Sequence, residues 1–373
     1  FRVDNLGKVI VDELKKKVEE GVEVRLLVDG MGSKSLRNKD IKYIKSLGIK
    51  FYTFFPVVIP YINVRLNYRN HRKIVIIDGK CGYVGGFNVG DEYINGGKQF
   101  DYWRDTHIRI EGEAVNELHK RFILDWDYAS EGELKNYNDY FEKQEKFGNI
   151  GVQIISSGPD HKEEYIKNAY MKIINNAKES VYIQTPYLVL DESMKEALKI
   201  AALSGVDVRI MVPANPDHFF MEWILSANIE ELIECGISIY KYNKGFIHSK
   251  IIIADGKVSS IGTANLDIRS FQLNFEINAI IFDNEFTKKQ EEIFNKDIKD
   301  IEEALDKKDN LMFIRYINSI EVDFNICPSY RSLKDRKIYG TDYLNVNYRV
   351  LHYESHIINT ISAIIDILFF LLH

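Results

Sequence analysis

The sequence is poor in cysteine, has no basic excess and has no long uninterrupted apolar run. Each shortage narrows what the chain can be. Cys81, Cys235 and Cys327 are odd in number and scattered over 373 residues. No disulfide framework and no metal-ligand spacing follows from them, which favours a reducing compartment. The formal net charge of -6 argues against a nucleic-acid grip, which normally shows as a basic stripe. The most apolar stretch, residues 357–372, is broken by Asn359 and Asp366 and is too short and too polar for a membrane span. It is open to being a packed helix, an interfacial segment or an altered C-terminus. The chain opens at Phe1-Arg2-Val3 with neither an initiator Met nor a signal-like stretch, as a fragment would.

What the chain does contain is a phrase written twice. Asn70-His71-Arg72-Lys73 runs through an apolar stretch to Asp78 and on to Gly85 and Asn88. Ile247-His248-Ser249-Lys250 runs likewise to Asp255, Gly262 and Asn265. Both read H-x-K-x4-D-x6-G-x2-N, the second copy 177 residues after the first. One such phrase is unremarkable for a strand; two with the same distal glycine and asparagine mark an internal repeat. The run after each Lys has the length and β-branching of a buried strand. Alternation along that strand would put His71 with Lys73, and His248 with Lys250, on one face. Each copy thus offers an imidazole, an ammonium, glycines that admit close approach and a neutral amide. A phosphodiester needs that set: donors for its oxygens, a nucleophile for phosphorus and a proton for the leaving oxygen.

With 45% hydrophobic and 28% charged residues, the chain can bury the core of two domains and more. Periodicity predicts a helix over 6–18, a strand over 21–30, a helix over 35–47 and a strand over 49–55. After the first phrase come a strand over 107–110 and a helix over 114–128. The order then repeats: strands over 152–155, 180–184, 206–212 and 236–240, with helices over 165–177, 193–202 and 219–234. This alternation predicts an α/β fold of two similar lobes, each a mostly parallel or mixed sheet flanked by helices. The expected boundaries are a first lobe over 1–130, a charged linker over 131–150, a second lobe over 151–300 and a tail over 301–373. Residues 61–72 are basic, with Arg65, Arg69 and Arg72 ahead of Lys73; they read equally as a cationic approach for anionic head groups and as a solvated loop. Asp105 is a candidate to hold the His71 ring in one tautomer, its competitor being a salt bridge with Arg104 or Arg109. Glu276 is the matching candidate for His248, or else a surface carboxylate.

The words around the repeat are narrower than the repeat. Phe54-Phe55-Pro56, Asn67-Tyr68-Arg69-Asn70-His71-Arg72-Lys73, Val84-Gly85-Gly86-Phe87-Asn88, Trp103-Arg104-Asp105-Thr106-His107, Gln184-Thr185-Pro186-Tyr187 and Gly245-Phe246-Ile247-His248-Ser249-Lys250 resemble the bacterial cardiolipin synthases of the phospholipase D (HKD) superfamily. The likeness covers roughly residues 1–285. It implies two lobes about a pseudo-two-fold axis, and transfer of a phosphatidyl group between two phosphatidylglycerol molecules, giving cardiolipin and glycerol. No metal and no cofactor are implied, and no nucleic-acid partner; the oligomeric state is left open. By resemblance His71 is the nucleophile and His248 the proton donor, with Lys73, Lys250, Asn88 and Asn265 on the nonbridging oxygens. Asp78 and Asp255, at the strand ends, complete the motif's catalytic set and shape their loops or tie the lobes together rather than touch substrate. The family implies a cell-membrane location with the lobes on the cytoplasmic side, and spanning segments that this stretch lacks. The first sheet is expected to miss part of its pairing, because the chain starts inside a strand. Two other readings remain: a phospholipase D-type hydrolase or nuclease, and an inactive fragment.

Overall fold

The computed structural model describes residues 1–56, 67–97, 99–141, 148–217, 229 and 231–307. The helix expected over 219–234 falls largely outside these residues, as does the tail beyond 307. The first lobe runs α1 (Asn5–Glu19), β1 (Arg25–Asp29), α2 (Asn38–Ser46), β2 (Lys50–Phe54), β3 (Ile74–Ile77), β4 (Cys81–Gly85), β5 (His107–Glu111) and α3 (Ala114–Ala129). The second runs β6 (Gly151–Ser157), α4 (Tyr165–Asn176), β7 (Ser180–Gln184), α5 (Glu192–Leu203), β8 (Asp207–Pro213), β9 (Ser238–Tyr242), β10 (Ile251–Ala254), β11 (Val258–Gly262), β12 (Asn274–Phe282) and α6 (Asn284–Lys307). The repeat extends to local details. Helices α1 and α5 are both N-capped by an Asp side chain: Asp4 accepts from the Gly7 amide, and Asp191 from the Met194 amide. Hairpins β3–β4 and β10–β11 both turn through Asp-Gly pairs in the left-handed region, with φ of 53° and 65° at Asp78 and Gly79, and 54° and 59° at Asp255 and Gly256. That backbone matches the strand twist of a tight hairpin, so the Asp of each phrase is a turn residue.

In the second lobe β9, β8 and β7 are parallel, and β10, β11, β12 and β6 continue the sheet antiparallel. The sheet is therefore mixed, parallel on one side only. Helices α4 and α5 cover one face through Ile166, Tyr170, Ile174, Met194 and Leu198, and α6 covers the other through Phe294 and Ile298. The first lobe divides its strands differently. Strands β1 and β2 form one parallel pair, and β3, β4 and β5 a separate antiparallel sheet. The expected start inside a strand is not what the structure has: residues 1–3 lie outside any strand and lead into the Asp4 cap of α1. Val84, Ile110, Val115 and Leu118 of the first lobe share a core with Ile277 and Ala279 of β12, so the lobes are joined by apolar burial. Among the described residues no helix is long and apolar enough to cross a membrane.

Candidate active site

His71, Lys73, His248 and Lys250 precede their strands; β3 and β10 start one residue later, at Ile74 and Ile251. What places the histidines is a pair of two-residue strands that cross between the lobes. Arg69-Asn70 pairs parallel with Asn274-Phe275, and the His71 amide extends the ladder onto the Phe275 carbonyl at 2.9 Å. Trp103-Arg104 pairs parallel with Phe246-Ile247, and the His248 amide donates to the Arg104 carbonyl at 2.7 Å. In a parallel pair the residues that follow emerge side by side. His71 therefore emerges beside Glu276, and His248 beside Asp105.

This corrects the pairing expected from the sequence. The His71 ring donates through Nδ1 to the Glu276 carboxylate, 2.8 and 2.9 Å from its two oxygens. The His248 Nδ1 lies 2.7 Å from Asp105 Oδ2. Each imidazole is held by the acid of the opposite lobe. The sequence reading keeps each acid with the histidine of its own lobe, because residue order says nothing of a ladder between lobes. Both carboxylates are fully buried. Thr263 Oγ1 donates to Glu276 at 2.5 Å and Asn274 Nδ2 at 3.1 Å, while Asp105 accepts from the Thr106 amide at 2.7 Å. Gly86 stands where the second lobe has Thr263. A Cβ there would lie 2.0 Å from Asp105 Oδ1, so only glycine leaves room for this acid.

Both lysines fold back on their own loops: Lys73 Nζ donates to the His71 carbonyl at 2.7 Å, and Lys250 to the His248 carbonyl. An ammonium has three donors, so each retains donors for a ligand oxygen. Burial dominates the electrostatics. It lowers the Lys73 pKa to about 7 and that of Lys250 to about 8, against the pull of Glu276 and Asp105. It lowers His71, and it lowers His248 to about 3 with help from Lys250. Burial pushes Glu276 up, but the His71 ring, Lys73 and the Thr263 hydroxyl outweigh it and hold the acid low. Lys250 also lowers the His71 ring and Lys73 the His248 ring, so each half feels the ammonium of the other. With each Nδ1 engaged, Nε2 is the nitrogen left for chemistry.

The other expected residues fall as follows. Asn88 is exposed and its amide meets the Tyr93 hydroxyl at 2.5 Å. Asn265 is buried and donates to Asp267 at 3.0 Å. Asp255 accepts the backbone amides of Lys178, Glu179 and Ser180, which fixes the entry to β7, and Asp78 is exposed at its turn. Arg65 lies outside the described residues. Arg72 is neither an approach for head groups nor solvated: its side chain is 2% exposed and it pairs with Asp125 at 2.8 Å. Arg104 likewise pairs with Asp297, and Arg109 with Glu111, so neither claims the Asp105 carboxylate. Sequence reasoning missed Thr263, Asn274, Asp125 and Asp297. Only Asp125 left a signal, an acid between Ile123 and Trp126 on the apolar face of its helix. Among the described residues no group of three or more His, Cys, Asp or Glu is placed to hold a metal ion.

Comparison with known proteins gives the family. A profile of the family described as "Cardiolipin synthase, PLD-like domain" matches residues 5–126 and 170–298. A cardiolipin synthase of Clostridium perfringens is 54% identical over 304 residues, covering 80% of this chain and 64% of its own length. Cardiolipin synthase 2 of Staphylococcus epidermidis is 53% identical over 297 residues, 79% of this chain and 61% of its own. The chain thus spans less than two thirds of the length of these relatives. The phosphatidylserine synthase of Haemophilus influenzae shares the fold, with a TM-score of 0.61 at 16% identity over 80% of this chain and 79% of that one. By the profile, the relatives and the doubled phrase together, the chain belongs to the cardiolipin synthase family of phospholipase D-like proteins.

Proposed function

We propose that this site transfers a phosphatidyl group from one phosphatidylglycerol to the terminal hydroxyl of a second, releasing glycerol. The observation that carries the reading is the reciprocal clamp: two imidazoles, each fixed through Nδ1 by the opposite lobe's acid, each with a lysine two residues on. His71, at 26% side-chain exposure against 9% for His248, is the more open ring and the nucleophile. Its Nε2 lone pair attacks phosphorus, the P–O bond to glycerol breaks, and His248 gives that oxygen a proton. The incoming hydroxyl then loses its proton to His248 and attacks phosphorus, and the P–N bond returns its electron pair to His71. Lys73 and Lys250 take the nonbridging oxygens, joined by the Asn88 and Asn265 amides as these turn from Tyr93 and Asp267. Burial, then Lys250 and Lys73, push His248 down; a bound phosphodiester anion opposes that push and so favours its protonated form.

The substrates are bilayer lipids, so the lobes work at a cell-membrane surface, on its cytoplasmic side. The test combines product and intermediate. With phosphatidylglycerol vesicles, mass spectrometry should find cardiolipin and glycerol, and quenching should trap a phosphatidyl group on His71. His248→Ala should slow its formation and turnover without moving it. Phosphatidate as the main product would make the protein a hydrolase, and label on His248 would reverse the roles.

A further inference from the structure

Behind each clamp sits an arginine, largely withdrawn from solvent and held by a helix aspartate, and the two halves build this support from different parts of the chain. In one half the Arg72 guanidinium donates to both Asp125 oxygens at 2.8 Å, to the Glu276 carbonyl at 3.2 Å and to the Ser157 carbonyl at 3.2 Å. Asp125, on α3, is itself 5% exposed and also receives Asn70 at 3.1 Å and Arg121 at 3.1 Å. In the other half the Arg104 guanidinium pairs with Asp297 at 3.0 Å and donates to the Asp105 carbonyl at 2.7 Å, to Thr106 Oγ1 at 3.0 Å and to Ser249 Oγ at 3.4 Å. Asp297, on α6, is 7% exposed and also receives Gln184 at 2.8 Å.

The correspondence is exact in function and crossed in origin. Ser249 follows His248 as Arg72 follows His71; Phe275 precedes Glu276 as Arg104 precedes Asp105. One half takes its guanidinium from the residue after the histidine and sets a ring, Phe275, 5.2 Å from it. The other takes it from the residue before the acid and sets a small hydroxyl opposite. In both, the guanidinium meets the backbone carbonyl of the acid that holds the histidine. An arginine taken out of solvent is costly to desolvate unless it is fully partnered. Two such sites at matching places, built by different residues, point to a task that the place imposes.

We propose that Asp125 and Asp297 are positioning residues for phosphatidyl transfer: through Arg72 and Arg104 they fix the carboxylates of Glu276 and Asp105, and so the orientation of His71 and His248 respectively. The proposal rests on the two-histidine reading above. The charged groups that face the rings are Glu276, Lys73 and Lys250 for His71, and Asp105, Lys250 and Lys73 for His248. None of these is altered by the variants that follow.

The test follows both rings by nitrogen-15 NMR of labelled histidine alongside kcat and KM, in the whole chain. Asp125→Asn should change the tautomer balance and titration of His71 and leave His248 unmoved; Asp297→Asn should do the converse. Each should lower kcat by about 10–100-fold, the usual effect of losing an outer partner, with KM changed little. Asp125→Glu and Asp297→Glu should recover part of that. Arg72→Ser should behave as Asp125→Asn does, and Arg72→Ser with Phe275→Arg, which copies the other half's arrangement, should regain most of the loss. Variants that unfold more easily yet keep both titrations and kcat unchanged would make the acids merely structural and overturn the proposal. Both rings moving equally in either single variant would overturn it too. The ring titrations need no substrate. If the unaltered chain makes no cardiolipin while Asp125→Asn still moves His71 alone, the reading of function fails and the wiring stands.

Discussion

Strands β3 and β10 carry the same phrase and live in different surroundings. Strand β10 lies between β7 and β11 with α4 packed over it, so Ile252 and Ala254 are each 2% exposed. The equivalent Val75 and Ile77 of β3 are 51% and 50% exposed. In the second lobe, residues 151–187 supply β6, α4 and β7; among the described residues the first lobe has no such unit, and β3 pairs with β4 alone. Yet His71 meets a buried carboxylate through Nδ1 just as His248 does. Its loop is pinned by the ladder to Asn274-Phe275 and by Glu276, all from the other lobe. In both surroundings the reacting groups are held by the crossed loops.

The comparison is broken most severely at the crossed acids. Glu276→Gln and Asp105→Asn should each lower kcat by about 10³–10⁴-fold, since a neutral amide holds the ring less well and favours the wrong tautomer. Full activity in either variant would show that the clamp is incidental. Next comes the buried strand against the open one. Ile252→Ala should cost about 2–5 kcal/mol in urea unfolding, as a cavity forms, and Val75→Ala within about 0.5 kcal/mol. Equal costs would mean that β3 is covered after all.

A smaller contrast lies at the turns. Asp255→Ala strips a carboxylate from three backbone amides and should cost about 1–3 kcal/mol, whereas Asp78→Ala at its exposed turn should cost less than half of that. The same unfolding assay decides it. The mildest effect is on pH dependence. A lysine with a lowered pKa is charged below it and neutral above, so kcat/KM should fall as pH rises through about 7 (Lys73) and about 8 (Lys250). Lys73→Arg stays charged and should move the onset of that fall to higher pH. An alkaline limb unmoved in that variant would assign it to another group.

Much of this was legible from residue order. The doubled phrase located both imidazoles and both ammonium groups, and apolar periodicity located most helices to within a few residues, such as α3, expected over 114–128 and found at Ala114–Ala129. Asp105 and Glu276 were found as acids but given to the wrong histidines. Their assignment depends on parallel ladders two residues long between segments some 140 to 200 residues apart, and nothing in local periodicity encodes such a ladder. Arg72 misled for a related reason. A basic loop residue is usually solvated, and what buries this one is Asp125, more than fifty positions away on a helix of the same lobe.

The exchange of acids between the halves has a consequence for inheritance. A duplicated unit that keeps all its own parts leaves a working remainder when its twin decays. Here each copy's histidine leans on the other's acid, so losing either half removes one imidazole and the acid that holds the other. Neither copy is then free to drift while the other carries the reaction, which gives selection a reason to preserve both versions of the phrase in one polypeptide.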